Sequence, residues 1–320
     1  MDGVYDIFET DSLFLQYNGG FPLKDKEMIS RLSQNTDVDR LRSYSSVFSR
    51  SVFTRLTKFD DLSSINQVGR AYDIGWVNEQ MTYADYLDWM YQTLVTHYRT
   101  EYVFKNALAN RIVAKNRGRN ITIFNEFKVG DSIADIATFN GKSCVYEIKT
   151  EMDSPKRLVG QQESYFKFFQ ECYLVVPKGR VEEYLPYIDE RMGVKTLNSV
   201  NGRIFLSDYR KATQLSDNLD VDVLMRVLWI QEYEDIIKRH YGKLPDVGYF
   251  EMYDACKELM RKIPVAQLSK LTVEVIKQRK NNELLYYNDK KNLTQMCLAL
   301  NFNMRQYTRM CNNLNKTVIL

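Results

Sequence analysis

Histidine is scarce in this chain: of 320 residues only His97 and His240 are histidine, and they lie far apart. A histidine-centred nuclease or a zinc hydrolase therefore has little to build on. His97 precedes Glu101 by one helical turn and could reach a site there; an ordinary helix histidine is the alternative. The five cysteines (Cys144, Cys172, Cys256, Cys297, Cys311) include no CxxC or CxxH pair, which argues against a zinc site or a disulfide framework. Their odd number suits a reducing compartment, and Cys144 and Cys172 sit in or beside apolar runs as core residues. There is no Walker A sequence, no GxGxxG after a strand and no GxSxG elbow, so nucleotide-driven, dinucleotide and serine-hydrolase chemistries are not expected. No apolar stretch reaches membrane-spanning length, and Met1 to Asp6 lacks the basic and apolar regions of a signal peptide. A cytoplasmic protein without membrane contact is expected. Charge of one sign is scarce too: 44 Lys and Arg against 41 Asp and Glu leave a net +3. That balance permits nucleic-acid binding without demonstrating it. Internal repeats, low-complexity tracts and heptad series are missing as well.

What is present is a pattern of charge inside apolar sequence. Asp135 lies within Ile133-Ala134-Asp135-Ile136-Ala137, and Glu147-Ile148-Lys149 follows Val145-Tyr146. Between them Asn140-Gly141-Lys142 reads as a hairpin turn. With a three-residue loop Phe139 pairs with Ser143 and Asp135 falls opposite Glu147, and Glu147 shares a face with Lys149 because strand side chains alternate. A two-residue turn would instead set Asp135 opposite Tyr146 and split the group. Two carboxylates on one face repel unless a cation lies between them, and oxygen donors of this kind suit Mg²⁺ or Mn²⁺. Such a metal beside an ammonium group can cut phosphodiesters. The competing reading is a solvated hairpin face, weakened by the apolar neighbours, since unpaired charges in apolar strands are costly.

Asp153-Ser154-Pro155 reads as a helix start, with Ser154 as N-cap and Pro155 in the first helical position. The helix is expected to run to about Gln170, placing Gln161 and Tyr165 on one face. Tyr173-Leu174-Val175-Val176 then reads as a buried strand. In this order the residues resemble the PD-(D/E)XK nuclease superfamily, the restriction-endonuclease-like fold. Asp135 matches its first acid, Glu147-Ile148-Lys149 its acid-x-lysine, and Gln161 to Tyr165 the QxxxY helix motif of the RecB-type branch. The position before Asp135 is Ala134 rather than proline. The segment from Glu101 to Val176 also resembles a group of bacterial proteins assigned to this superfamily. The resemblance implies a metal held by Asp135, Glu147 and the Ile148 carbonyl, a lysine (Lys149) that supports hydrolysis, and Gln161 and Tyr165 positioning substrate or active-site groups. It also implies a glutamate on the first core helix, for which Glu101 is the candidate.

The expected fold is α/β: a mixed sheet flanked by helices, with an N-terminal extension and an all-helical C-terminal region. Residues 1–80 form an accessory region, 81–210 the nuclease-like domain and 211–320 a helical domain. Within the first, a helix starts near Lys24 to Glu27. The stretch Arg42 to Arg55 interleaves Arg with aromatic residues, either as a nucleic-acid contact or as an amphipathic helix with a Phe core. In the second, Thr82 to Ala114 is helical with a break near Arg99, Ile121 to Val129 is the first strand, residues 179–192 are helical, and Asn201-Gly202 turns a second hairpin. In the third, Lys277 to Asn281 either grips a DNA backbone or ends a solvated helix. The expected activity is Mg²⁺- or Mn²⁺-dependent hydrolysis of DNA, RNA being the less favoured substrate, in a setting such as phage defence or repair. The rivals are a non-catalytic nucleic-acid-binding module and a subunit that cuts only with a partner. The helical C-terminal region could serve a protein partner or a second copy.

Overall fold

A six-stranded mixed sheet organises the molecule, with strands in sequential order. β1 (Thr122–Val129), β2 (Ser132–Phe139) and β3 (Ser143–Ile148) form an antiparallel meander. β4 (Glu171–Pro177) and β5 (Gly193–Val200) continue it in parallel, and β6 (Arg203–Arg210) closes it antiparallel to β5. The computed structural model describes residues 37–320 except 76, 78, 79, 118, 120, 201, 202 and 280–283. The expected helix start near Lys24, the turn at Asn201-Gly202 and the end of the Lys277 to Asn281 run lie outside the described residues. Asp39 to Leu320 make one compact unit. The fold is α/β, a mixed sheet flanked by helices with a helical C-terminal region.

Helices α1 (Val38–Val47), α2 (Arg50–Phe59) and α3 (Ser63–Tyr72) precede a long pair, α4 (Tyr83–His97) and α5 (Glu101–Lys115). Thr82 and Asp85 cap α4 reciprocally, and the expected break falls at residues 98–100. In the Arg42 to Arg55 stretch Tyr44, Val47, Phe48 and Phe53 are buried, while Arg50 pairs with Glu126 and Arg55 with Asp61. Amphipathic helices with their aromatics inward are what form there.

Ser154 and Pro155 start a short 3₁₀ turn that leads into α6 (Leu158–Phe166). This helix stops earlier than Gln170 because Phe168 and Phe169 turn into the core with Phe127, Phe139 and Tyr165. The helix expected over 179–192 is only α7 (Val181–Tyr184) between two 3₁₀ turns. Pro186 explains it, having no N–H to donate and no room for the preceding turn.

α8 (Val221–Val227), α9 (Ile230–Tyr241), α10 (Met252–Met260) and α11 (Val265–Lys277) add Leu224, Ile236, Met260 and Ile276 to the same buried cluster as the sheet residues Phe127, Val145 and Leu174. After α12 (Leu284–Tyr287), α13 (Thr294–Leu300) packs on α5 and β1, and α14 (Met304–Leu314) packs on α2. The last residues return to the start of α4, where Val318 N donates to Met81 O at 2.9 Å. No described helix is long and apolar enough to cross a membrane.

Candidate functional site

The hairpin between β2 and β3 sets the register. Phe139 pairs with Ser143, and the ladder runs to Ile136 opposite Tyr146. Gly141 takes φ +71, a conformation that glycine adopts without steric cost. This is the three-residue-loop register, and it brings Asp135 and Glu147 to the same end of the hairpin, one step past the last ladder pair.

Glu147 is the buried centre. Its side chain is 4% exposed, and both carboxylate oxygens are taken. Oε1 accepts from Lys149 Nζ at 2.6 Å and from Gln161 Nε2 at 2.7 Å, and Oε2 accepts from Tyr165 OH at 2.6 Å. Lys149 Nζ also donates to Gln161 Oε1 at 3.2 Å. Period-two alternation on β3 and its extension puts the acid and the lysine together, and the i, i+4 spacing on α6 brings Gln161 and Tyr165 over them. Burial, and then the Glu147 charge, push the Tyr165 phenol far above its ordinary value, so it stays a neutral donor.

Asp135 is tied differently. Its Oδ2 accepts from the Ile148 backbone N–H at 2.7 Å, and its Oδ1 lies 3.0 Å from Lys105 Nζ. Burial, then the nearby Glu147 charge, push its carboxyl up to about 6; Lys105 and the Ile148 N–H pull the other way and lose. For Lys105, burial opposes the charge, but Asp135 and Glu101 outweigh it and its ammonium is held above the ordinary lysine value.

β1 adds an irregularity beside Asp135. Glu126, which the register sets opposite Asp135, has φ +56 and makes no ladder pair. The Phe124 and Phe127 rings meet edge to face at 5.3 Å, and both lie against the ring of Phe139; a regular strand would put residues three apart on opposite faces. The left-handed residue makes that switch, and Glu126 pairs with Arg50 at 2.8 Å. A carboxylate that would have faced Asp135 across the strands is thereby used elsewhere.

The loop after Lys149 is braced from outside. Arg180 donates to the carbonyls of Thr150 and Glu151, each at 2.8 Å, Tyr184 OH donates to Asp153 O at 2.9 Å, and Arg99 pairs with Glu151 at 2.7 Å. Residues 98–101 at the start of α5 thus flank the site.

Asp135, Glu147, Lys149, Gln161 and Tyr165 come together as the sequence spacing expects. Glu101 does not join the two acids: it is 60% exposed and holds Lys105 at 2.5 Å. His97 is exposed at the last turn of α4, outside the hydrogen-bonded cluster. Lys105, Glu126 and Arg180 escape sequence reading, although Lys105 does follow Glu101 at i+4. Among the described residues no group of three or more His, Cys, Asp or Glu gathers as a metal cage. Asp135 and Glu147 are oxygen donors of the kind Mg²⁺ takes, an ion commonly held by one or two carboxylates and completed by water and phosphate, and here each of their four oxygens already has a protein partner.

Compared with known proteins, residues 95–301 match the family described as Bacteriophage P4 protein cII. Protein cII of Enterobacteria phage P4 is 25% identical over 178 residues, 55% of this chain and 66% of that protein. The match therefore spans just under two thirds of the relative. A solved structure, a protein of unknown function from Silicibacter pomeroyi, aligns at 15% identity over 46% of this chain and 94% of its own, with a TM-score of 0.29, too low to bear on fold or function. The family match takes in more than half of the chain and every residue of the cluster from Glu101 to Tyr165, and the chain belongs to the bacteriophage P4 protein cII family.

Proposed function

We propose that this protein is a metal-dependent nuclease that hydrolyses DNA phosphodiester bonds. The observation that carries the reading is the saturated environment of Glu147, whose buried carboxylate is fixed at both oxygens by Lys149, Gln161 and Tyr165 from two separate elements. So much polar organisation around one acid at a strand end is costly to bury and suits a site whose geometry must be held. The resemblance of these same residues to the PD-(D/E)XK nucleases supports it.

Asp135, Glu147 and the Ile148 carbonyl would hold the cation, Mg²⁺ or Mn²⁺, which when bound polarises a phosphate oxygen and acidifies water. Gln161 and Tyr165 hold the Glu147 carboxylate in orientation. Lys149, shared between Glu147 and Gln161, places a positive charge where negative charge develops, and positions the attacking water.

The test is cleavage of plasmid and single-stranded DNA with Mg²⁺ or Mn²⁺ by wild type, Glu147→Ala and Lys149→Ala, with RNA as a parallel substrate. Each substitution is expected to lower the rate by ~10²-fold or more with the fold intact. Cutting that survives both removes the site assignment, and preferential cutting of RNA changes the substrate. A second reading, a non-catalytic or partner-dependent nucleic-acid-binding subunit of a defence or repair assembly, is favoured by one feature: each of the two acids already has a lysine against it. Wild type that cuts only with co-expressed neighbours, or never, selects that reading.

A further inference from the structure

We propose that Lys105 is a resident counter-cation of this site, which a divalent metal must displace from Asp135 Oδ1. The inference rests on the metal-dependent reading above. Asp135 Oδ2 is occupied by the Ile148 N–H, so Oδ1 is the oxygen left for a metal, and Oδ1 is the one that Lys105 holds at 3.0 Å. The Lys105 side chain is 8% exposed, and its second partner is Glu101, 2.5 Å away and one helical turn earlier on α5. Glu101 is 60% exposed, so it is a tether at the rim. When metal takes Asp135, the ammonium retreats onto Glu101 and remains paired. The site exchanges one cation for another, and Asp135 and Glu147 are at no stage left facing each other uncompensated.

The charge count makes the competition measurable. Glu101, Asp135 and Glu147 against Lys105 and Lys149 leave one net negative charge; without the Lys105 charge there are two. Lys105 is a positioning residue, not a catalytic one, and the readout is metal binding itself.

Mn²⁺ alone is titrated into the full chain in alkaline buffer, free ion being followed by electron paramagnetic resonance, for wild type, Lys105→Met and Glu101→Gln. Lys105→Met is expected to bind about tenfold more tightly than wild type, a modest share of what a unit charge beside a carboxylate is worth in a partly buried site. Its melting temperature is expected to rise more on Mn²⁺ addition than that of wild type. Glu101→Gln is expected to bind more weakly, because the ammonium then has Asp135 as its only acid. Binding by Lys105→Met that is no tighter than wild type overturns the inference and leaves the metal-dependent reading standing. Should Lys105→Met fail to fold, Glu101→Gln decides: unchanged or tighter binding overturns the inference. Failure of Mn²⁺ to bind any of the three chains overturns the metal-dependent reading and this inference together.

Discussion

Asp135 pays for its position. Its ordinary value of 3.8 is pushed up to about 6, by burial first and by Glu147 second. The sign comes from proton linkage. Below the unfolded value the carboxyl is protonated in both states and its favourable share of stability is complete; as pH rises through the folded value it must ionise in the protein, and that share is lost. The shift is worth about 3 kcal/mol at most. In chelator, wild-type stability relative to Asp135→Asn is expected to fall between about pH 4 and about pH 7 in urea titrations; a flat difference would place the Asp135 charge in a less burdened environment. Tyr165 supports a second prediction. Tyr165→Phe leaves Glu147 Oε2 buried without its donor, and a loss of ~1–3 kcal/mol is expected in chemical denaturation. At this scale five site residues are legible because their spacing is local: two residues along a strand, four along a helix, one hairpin between. Lys105 is not, because an acid and a lysine at i, i+4 ordinarily make a solvated helix pair, and nothing local says that this ammonium is buried against a strand.

Among the elements, the β2–β3 hairpin is legible from Asn140-Gly141, whereas its register is open in sequence between a two- and a three-residue loop and is decided by the pairing of Phe139 with Ser143. The kink of β1 is not legible, because Glu126 looks like any other polar strand residue and its φ of +56 answers to the packing of Phe124 and Phe127 on one face. A left-handed residue other than glycine costs roughly 1–2 kcal/mol. Against that stands the Arg50–Glu126 pair, with both side chains about half exposed and worth at most ~1 kcal/mol. Glu126→Gly is therefore expected to leave thermal stability unchanged or raise it slightly, whereas Glu126→Val, which adds to the strain and loses the pair, lowers it. A Glu126→Gly variant as destabilised as Glu126→Val would mean that the ion pair, not the backbone, dominates there. The short α7 shows the converse limit: apolar spacing alone suggests a longer helix, and one proline overrides it.

At the level of the whole molecule, composition along the chain suggests three successive regions, but long-range packing ties residues 81–210 to the C-terminal helices. Phe127, Tyr165 and Phe169 share one buried cluster with Leu224, Ile236, Met260 and Ile276. The helix that carries Glu101 and Lys105 is anchored by Asn106, wholly buried, which donates to Lys291 O at 2.8 Å and accepts from Gln295 N at 2.9 Å. On β1, Asn125 accepts from Gln295 Nε2 at 2.6 Å. Several asparagines of the last stretch, Asn288, Asn292 and Asn313, are buried, although their composition reads as solvent-facing. None of this is visible locally, because the anchoring contacts of Asn106 and Asn125 join residues more than a hundred positions apart. A fragment of residues 81–210 would expose that apolar cluster and leave Asn106 without two of its partners, each a loss of order 1–3 kcal/mol against a total stability of about 5–15. It is expected to show no cooperative unfolding transition in urea, while residues 39–320 unfold in one. A fragment that melts cooperatively and binds Mn²⁺ as the full chain does would mean that the sheet and its site are held by local contacts alone, and that the C-terminal helices serve some purpose other than holding α5 in place.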